Sequence, residues 1–431
     1  MKNFIEEKLL PPVMKFVNST PVTAVKEGFI ATLSLTIVGS IFLLLAFFPW
    51  KPVELFFANA GLTPWLLQAY NATFNMLALV AVFSIAYSYA KQKQVEPLSA
   101  GILSLVSYVL LIEFNSFEGG TFINFGYLGA RGMVAAIVIG LLVGWIYSWF
   151  LERDITIKMP AGVPPGVANS FAAIIPASVI ITITMVLYGV LRMNDTTFID
   201  LIYTIIQIPL QGMTSSLPGA LLMAFVGPFL WWFGVHGASI VSGIIGGILT
   251  ANMMENQAII DAGNALTLAN GGYIVTKQFL DNILIITGSG ITIGLVVYFL
   301  FFAKSEQFKS LGKLSAPSSI FNINEPILFG MPIVLNPLMF IPFIAIPVVS
   351  ALVSYFAFAT GLVPLMGNVI PPWTTPPIIS GFIIGGWRMA LLQVVVIAIS
   401  VAIYFPFARK QDLMNLEQEK AAAQADQAEQ A

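Results

Sequence analysis

One carboxylate, that of Glu325, stands alone in a long apolar part of the chain. It is the only charged residue between Ala316 and Gly386. A carboxylate at membrane depth is costly unless it is paired, hydrated or lining a cavity, so Glu325 is by default a candidate functional residue. The other interpretation is that Glu325 lies in an interfacial loop and caps a helix.

The residues around Glu325 argue against a regular membrane-spanning helix. Pro326 offers no backbone donor, Gly330 permits unusual dihedral angles, and Pro332 and Pro337 follow. Irregular backbone at membrane depth is tolerated only where it is buried in protein or lines a water-filled cavity. We therefore expect a broken segment that faces such a cavity.

The only histidine of the chain lies in the run Gly234-Val235-His236-Gly237, between two apolar stretches. The glycines on both sides allow another backbone or a ligand to come close to the imidazole. Three roles are open for His236: a hydrogen-bond donor to substrate, a proton carrier, or a residue that locks the end of a helix.

Aromatic and amide side chains elsewhere in the chain suit a neutral sugar. Amides and carboxylates pair with hydroxyl groups, and an aromatic face covers the C–H face of a pyranose ring. Trp373, between prolines and threonines, is a candidate for stacking on a sugar or an anchor at the membrane interface. Asn124 lies in a glycine-rich apolar loop, where a turn asparagine is the better interpretation.

The composition restricts the class of protein that holds these residues. Of 431 residues, 58% are hydrophobic and 9% are charged, with a mean hydropathy of +0.88, whereas soluble domains carry about 25% charged residues. Because the apolar runs are long and continuous, we predict an all-α polytopic membrane protein rather than a β-barrel. The absence of cysteine and the single histidine exclude disulfides, a cysteine nucleophile and a histidine metal cluster. We expect no cofactor and, without a basic cluster, no nucleic acid as a partner.

Ten apolar runs of about 20 residues are candidates for membrane-spanning helices. They are residues 28–48, 66–90, 98–113, 133–151, 169–191, 216–234, 237–252, 283–303, 337–360 and 381–407. Two amphipathic segments, the lead-in at residues 1–27 and a helix over Asp195–Gln211, are expected to lie in the membrane interface.

Basic residues predict the orientation of these spans. Ten crossings place both termini on one side, and most of the 19 basic residues fall on that side. They include Lys304, Lys309 and Lys313 in the loop 303–316. Since cytoplasmic loops carry an excess of lysine and arginine, we predict cytoplasmic termini.

Two further stretches are too irregular for helices and too apolar for ordinary loops. Met253–Asn282 contains several amides and paired glycines, and Val363–Gly381 contains several prolines. Together with the Glu325 segment they predict re-entrant hairpins and cavity-lining loops. The tail Gln411–Ala431, rich in alanine, glutamine and glutamate, is expected to be soluble and dispensable.

The sequence resembles one known family in three runs, Phe321-Asn322-Ile323-Asn324-Glu325-Pro326, Gly234-Val235-His236-Gly237 and Pro371-Pro372-Trp373-Thr374. The family is the lactose, cellobiose and diacetylchitobiose branch of sugar phosphotransferase enzyme IIC components. The resemblance covers about residues 1–410 and implies a homodimer in which each protomer has ten spans and two re-entrant hairpins.

The resemblance also implies a division of the chain by role. An interface or scaffold domain, residues 1–191, would be joined by an interfacial linker helix, residues 192–212, to a transport domain, residues 213–410. A soluble cytoplasmic tail, residues 411–431, would follow.

Site residues can be carried over from the family one by one. Glu325 and His236 would bind sugar hydroxyls near the position to be phosphorylated, and Trp373 would stack on the sugar. Asn324 joins them as a binding residue. Asn124 would contribute from the first half of the chain, although its match is the weakest.

The implied function is a bacterial plasma-membrane permease for a β-linked disaccharide, cellobiose or diacetylchitobiose. Lactose members of the family often carry a fused, cysteine-bearing enzyme IIB domain, which this cysteine-free chain is expected to lack. We therefore expect a separate enzyme IIB, phosphorylated on cysteine, to phosphorylate the sugar. This chain would supply no catalytic residue and would carry no phosphate itself.

Two other classes of function fit the same residues. An ion-coupled secondary transporter could use Glu325 and His236 as a proton relay. An intramembrane enzyme could act on lipid-linked sugars. The source of energy separates them: the permease needs phosphoenolpyruvate and soluble partners, the secondary transporter needs an ion gradient, and the enzyme needs neither.

Overall fold

Helices form most of the chain. The computed structural model describes residues 10–48, 51–112, 114–117, 119–160, 162–234, 236–331, 333–334 and 336–429. The predicted lead-in at residues 1–27 therefore lies partly outside the described residues. The helices are α1 Leu10–Val17, α2 Thr20–Ala46, α3 Lys51–Asn59, α4 Thr63–Phe74, α5 Leu77–Gln92, α6 Pro97–Leu110, α7 Phe125–Leu128, α8 Met133–Glu152, α9 Pro165–Ala172, α10 Ile174–Arg192, α11 Phe198–Ile202, α12 Ile208–Ser215, α13 Leu217–Trp232, α14 Gly237–Asp261, α15 Lys277–Phe279, α16 Ile293–Phe301, α17 Glu306–Ile320, α18 Glu325–Gly330, α19 Pro337–Ala359 and α20 Ile379–Glu429.

Shorter elements lie between these helices. A 3₁₀ turn covers Ala130–Gly132, and π-helical turns cover Tyr203–Gln207 and Leu280–Leu284. Strands β1, Asn115–Phe117, and β2, Gly120–Phe122, form a small antiparallel pair. The sequence did not predict this pair, which is the one departure from a wholly helical fold among the described residues.

Seven helices are long and apolar enough to cross a membrane, counted over the described part of the chain. They are Thr20–Ala46, Thr63–Gln92, Ala130–Glu152, Pro165–Arg192, Gly237–Asp261, Pro337–Ala359 and Ile379–Ala422. An eighth is formed if Phe198–Ser215 and Leu217–Trp232, which are bent by 74°, make one span. The polytopic helical fold is thus confirmed. The count of ten spans and the two re-entrant hairpins stay predictions, because α6 and α16 are shorter than the roughly 20 residues that a bilayer requires.

The chain folds into two compact units. The first unit comprises the chain up to Ala46, Phe57–Gly212 and Ser242–Glu255. Its helices α5 and α8 approach each other closely at two glycines. A Cβ atom added to Gly140 would lie 3.0 Å from Cβ of Ile85, and one added to Gly144 would lie 2.8 Å from Cβ of Tyr89. Small residues at such contacts allow van der Waals packing between helices inside a membrane.

The second unit comprises Phe47–Phe56, Met213–Val241 and Asn256–Ala431. It contains Glu325, His236, Trp373 and Asn324, which are four of the five predicted site residues. Because Ser242–Glu255 are assigned to the first unit, helix α14 contributes residues to both units.

The prediction that Met253–Asn282 is irregular is wrong for its first residues. Helix α14 continues to Asp261, so irregular chain begins only at Ala262. The amides Asn256 and Gln257, which suggested a loop, lie in the last turns of this helix. Regular structure is absent from residues 361–378, as expected for the proline-rich stretch.

Two predicted helices depart from regular geometry. The last predicted span, residues 381–407, contains a break, since Gly385 and Gly386 leave helical geometry and Gly386 has φ 69°. The predicted amphipathic helix Asp195–Gln211 is divided among α11, a π turn and α12, and its polar Gln207 is fully buried.

The tail after the last span is not separate from the rest of the second unit. Asp412 is fully buried, and its carboxylate accepts four hydrogen bonds. The donors are the hydroxyl of Tyr298 at 3.1 Å, the backbone N–H of Lys304 at 2.8 Å, and Ser305 through its backbone N–H at 3.0 Å and its hydroxyl at 2.7 Å. The expectation that the whole tail is dispensable stays a prediction, and these bonds argue that its first turns contribute to stability.

A second carboxylate of the tail caps helix α17. Glu419 accepts hydrogen bonds from the backbone N–H groups of Glu306 and Gln307, at 3.1 and 3.0 Å. These groups lack partners within the helix because they belong to its first turn. In the same turn, the hydrogen bond from the Lys309 ammonium holds the pKa of the exposed Glu306 carboxyl below its usual range. The tail thus fixes the start of the helix that leads to Glu325.

Candidate functional site

Glu325 opens a short helix inside an irregular segment, as the sequence predicted. Helix α18 has six residues, Glu325–Gly330, and Pro326 lies in its first turn. The Glu325 side chain is exposed in the second unit rather than buried. Its position in the first turn is favourable for a carboxylate, because unpaired N–H groups there carry partial positive charge. The exposed carboxylate is available to a ligand.

Asn324 is buried, and its side chain is occupied by the protein. With 3% of its surface exposed, its Nδ2 group donates to the backbone oxygen of Ser289 at 2.8 Å and to Oγ1 of Thr292 at 2.9 Å. Gly288 lies against the same amide, where a Cβ would be 2.6 Å from Nδ2. This geometry favours a role in positioning Glu325 over direct contact with a ligand.

Asn322 joins three separate segments of the chain. Its Oδ1 accepts a hydrogen bond from the backbone N–H of Thr287 at 2.8 Å. Its Nδ2 donates to the backbone oxygens of Trp373 at 2.7 Å and Thr375 at 3.0 Å. The residue has φ 63°, in the left-handed region that asparagine adopts more readily than most residues. Sequence reasoning treated Asn322 only as part of a motif, although an asparagine next to an irregular segment was a usable signal.

The loop that carries Trp373 is fixed by its backbone and leaves the indole exposed. The Trp373 side chain is 64% exposed while its carbonyl is held by Asn322. Farther along the loop, Oε1 of Gln393 accepts from the backbone N–H groups of Ile378 at 2.6 Å and Gly381 at 2.9 Å. A fixed backbone with an exposed ring is the arrangement that stacking on a sugar requires.

Three buried amides from helices α14 and α15 hold the remainder of the same loop. Asn256 donates from Nδ2 to the backbone oxygen of Met366 at 2.9 Å, and Oε1 of Gln257 accepts from the backbone N–H of Asn368 at 2.9 Å. Gln278 donates to the backbone oxygen of Val369 at 3.2 Å. These bonds satisfy the polar backbone of an irregular segment that a membrane environment would otherwise leave unpaired.

His236 caps helix α14. Its Nδ1 accepts a hydrogen bond from the backbone N–H of Ser239 at 3.2 Å, so one of the three open roles, locking a helix end, is observed. In a neutral imidazole with Nδ1 as acceptor, the proton lies on Nε2. The His236 side chain is exposed, and its Nε2–H group remains a donor for a ligand.

Trp231 connects the His236 turn with the Glu325 helix. Its buried ring lies 4.7 Å from the His236 ring and 6.5 Å from the ring of Phe329, measured between centroids. Phe329 is four residues after Glu325, about one helical turn. The two predicted polar residues therefore belong to elements that pack on one tryptophan.

Asn124 lies in the first unit and has a local role. It precedes helix α7, and its Oδ1 accepts a hydrogen bond from the backbone N–H of Gly126 at 2.8 Å. This is the turn asparagine that the residue pattern favoured. Its contribution to a binding site stays a prediction.

The second unit thus offers three exposed groups on anchored backbone: the carboxylate of Glu325, the imidazole of His236 and the indole of Trp373. Sites for neutral sugars use such groups: a carboxylate that accepts from hydroxyls, an N–H that donates to them, and an aromatic face that covers the ring. Over the described residues, no group of three potential metal ligands is found among histidines, aspartates and glutamates. The arrangement favours binding of a polar neutral ligand.

Comparison with known proteins decides the family. The family model described as "Phosphotransferase system, EIIC" matches residues 26–347. The chain belongs to this family. EIIC components are membrane permeases of bacterial phosphotransferase systems and work with an EIIB component. The predicted permease function and bacterial membrane location are confirmed, and the ion-coupled alternative is not favoured.

Relatives that contain an EIIC component match almost the whole chain. The cellobiose-specific EIIC component of Geobacillus stearothermophilus is 36% identical, over 94% of this chain and 92% of the relative. The lactose-specific EIICB component of Lacticaseibacillus casei is 32% identical, over 97% of this chain and 72% of the relative. The crystal structure of ChbC, the IIC component of the N,N'-diacetylchitobiose-specific phosphotransferase system, has a TM-score of 0.89 and 35% identity. The aligned region covers 97% of this chain and 99% of the ChbC chain.

Proposed function

We propose that this EIIC permease binds a β-linked disaccharide, cellobiose or diacetylchitobiose, in the second unit. The observation that carries the proposal is the triple hydrogen bonding of Asn322, which places the Trp373 loop beside the segment that begins α18. Relatives named for cellobiose and for diacetylchitobiose, matched over nearly the whole chain, support this class of sugar.

Each exposed group has a distinct role in the proposed complex. The Glu325 carboxylate accepts hydrogen bonds from sugar hydroxyls, and the Nε2–H of His236 donates to a hydroxyl oxygen. The indole of Trp373 covers the apolar face of one pyranose ring. Asn324 and Asn322 act as positioning residues, since their amides are bonded to the protein.

Phosphorylation of the sugar requires a phosphocysteine on a separate EIIB chain in this proposal. The sugar hydroxyl oxygen attacks the phosphorus, the O–P bond forms as the P–S bond breaks, and the cysteine leaves as a thiolate. The leaving thiolate takes up the hydroxyl proton, while the Glu325 carboxylate holds the hydroxyl in line as its hydrogen-bond acceptor. The chain has no cysteine, and Nε2 of its one histidine donates to the sugar in this proposal, so the phosphoryl group passes from EIIB to the sugar without a covalent intermediate on this chain.

The larger organisation follows the same proposal. Residues 1–191 serve as the dimer interface and scaffold of a homodimer, residues 192–212 as a linker, and residues 213–410 as the transport domain. Both termini, including the tail 411–431, are cytoplasmic, and EIIB docks near residues 303–316, which the sequence suggested as a loop and which form most of helix α17 in the structure. Asn124 adds a contact to the sugar from the first half of the chain.

Replacing Glu325 by glutamine tests the binding site. A hydrogen bond to a charged group is worth about 1.5–3 kcal/mol, so equilibrium binding of radiolabelled cellobiose or diacetylchitobiose should weaken by about ten-fold or more. The matched control is Glu417→Gln, which changes an exposed carboxylate of the tail and should bind normally. His236→Ala should weaken binding similarly. Unchanged affinity in a folded Glu325→Gln protein would remove Glu325 from the site.

A single cysteine tests the orientation of the chain. Ser310 is exposed on α17, and no natural cysteine interferes with labelling. A membrane-impermeant thiol reagent added to intact cells should leave Ser310→Cys unlabelled. It should label the control Ala60→Cys, an exposed position in the loop after the first predicted span. The reverse pattern would show that the termini are outside.

A further inference from the structure

A cavity of about 240 Å³ lies between helices α2 and α5 of the first unit. Glu27 and Ala31 line it from α2, and Phe83, Tyr87, Ser88 and Lys91 line it from α5. Residues at spacings of three, four and seven share one face of a helix, so the cavity is formed by two facing helix surfaces. The proposed sugar site does not include any of these residues.

Two opposite charges line this cavity, those of Glu27 and Lys91. The Glu27 carboxylate accepts a hydrogen bond from the hydroxyl of Ser88, which is 4% exposed. Lys91 lies on the same lining, and among the residues that the structure describes neither Glu27 nor Lys91 forms an ion pair. By contrast, Lys93 and Glu152 of the same unit pair with each other at 3.2 Å. The cavity therefore separates an acceptor from a cation.

The polarity of the lining changes with depth. Lys91 lies next to the last residue of α5, Gln92, whereas Phe83 lies roughly 12 Å farther along the helix at 1.5 Å per residue. On α2, Ala31 lies one turn beyond Glu27. Charged groups thus mark one end of the cavity, where α5 ends, and apolar groups mark the other. A phospholipid has the same order of polarity, with a charged headgroup at one end and an apolar chain at the other.

We propose that this cavity binds the headgroup of an aminophospholipid. The primary ammonium of the lipid donates to Glu27, its phosphate accepts from Lys91, and an acyl chain lies along Ala31 and Phe83. The cavity has room for about eight water molecules at about 30 Å³ each. An anionic lipid without an amine leaves Glu27 without a countercharge, and a quaternary ammonium cannot donate a hydrogen bond to it.

A headgroup series tests the proposal on the purified full chain in detergent. Dioleoyl phosphatidylethanolamine, phosphatidylcholine and phosphatidylglycerol are titrated, with melting temperature and lipid retention in native mass spectrometry as readouts. We expect phosphatidylethanolamine to raise the melting temperature by about 4 °C at saturation and to bind about ten-fold more tightly than the other two. Equal binding of the three lipids, or retention of phosphatidylglycerol alone, would overturn the assignment.

Variants locate the effect in the cavity. Glu27→Gln should abolish the preference for phosphatidylethanolamine over phosphatidylglycerol, and Lys91→Gln should weaken both. Glu152→Gln is the matched control, since this carboxylate belongs to the same unit but pairs with Lys93 outside the cavity. If Glu27→Gln does not fold, the wild-type headgroup series still decides. A dimer that retains no lipid would mean that a second copy of the chain covers the cavity, and the proposal would fail.

Discussion

Disaccharide binding is expected to weaken about 100-fold when Asn322 is replaced by alanine. The change removes three hydrogen bonds to backbone groups. Each bond is worth about 1 kcal/mol, and a 100-fold loss of affinity corresponds to about 2.8 kcal/mol of binding free energy. Alanine is also disfavoured at φ 63°. Equilibrium binding of radiolabelled cellobiose or diacetylchitobiose measures the loss.

Two further substitutions separate the side chain of Asn322 from its backbone conformation. Asn322→Gly accepts the left-handed conformation but lacks the amide, so it should bind sugar as weakly as Asn322→Ala. Asn322→Asp keeps the acceptor for Thr287 but loses the donor to Trp373 and Thr375, and should also bind weakly. Wild-type affinity in Asn322→Gly would show that the amide does not position the Trp373 loop for binding.

The melting temperature is expected to fall by about 6–12 °C when Asp412 is replaced by alanine. Hydrogen bonds to a charged group are worth about 1.5–3 kcal/mol each, and the change leaves buried donors of Tyr298 and Ser305 without their acceptor. A net loss of about 3 kcal/mol corresponds to this shift for a unit of about 200 residues. Thermal unfolding in detergent, followed by fluorescence or calorimetry, measures it.

Truncations provide the controls for this prediction. A chain ending at Lys420 retains Asp412 and Glu419 and should melt as the full chain does. A chain ending at Lys410 loses both carboxylates and should melt at least as low as Asp412→Ala. If the chain ending at Lys410 retained full stability, the hydrogen bonds of Asp412 would contribute nothing to the fold.

Sequence reasoning succeeded where the physical cause was local. An isolated charge and the prolines that follow it are sufficient to predict that the Glu325 segment is broken, and the structure shows α18 as a six-residue helix. The proline-rich stretch that contains Trp373 likewise lacks regular structure. Both outcomes depend on missing backbone donors and on the cost of a charge in the membrane, which neighbouring residues determine.

The same reasoning failed where a polar side chain has a distant partner. Asn256 and Gln257 suggested a loop, but they stay in α14 because their amides bond backbone groups of Met366 and Asn368. The partners of Asn322 are 35 and more residues away in the sequence. Hydrogen-bond pairs of this kind are visible only in the folded structure and cannot be predicted from the spacing of residues in the sequence. The break at Gly385-Gly386 was different, because the glycine pair was visible inside the predicted span.

The amides around the Trp373 loop bond to main-chain atoms of the loop rather than to its side chains. Asn322, Asn256 and Gln278 each donate to a backbone oxygen there. Because every residue type presents the same carbonyl, substitutions in residues 361–378 can change the surface shown to a ligand without releasing the anchors. In the proposed complex, mutation of this one loop would therefore change the sugar preference while the surrounding architecture is inherited unchanged.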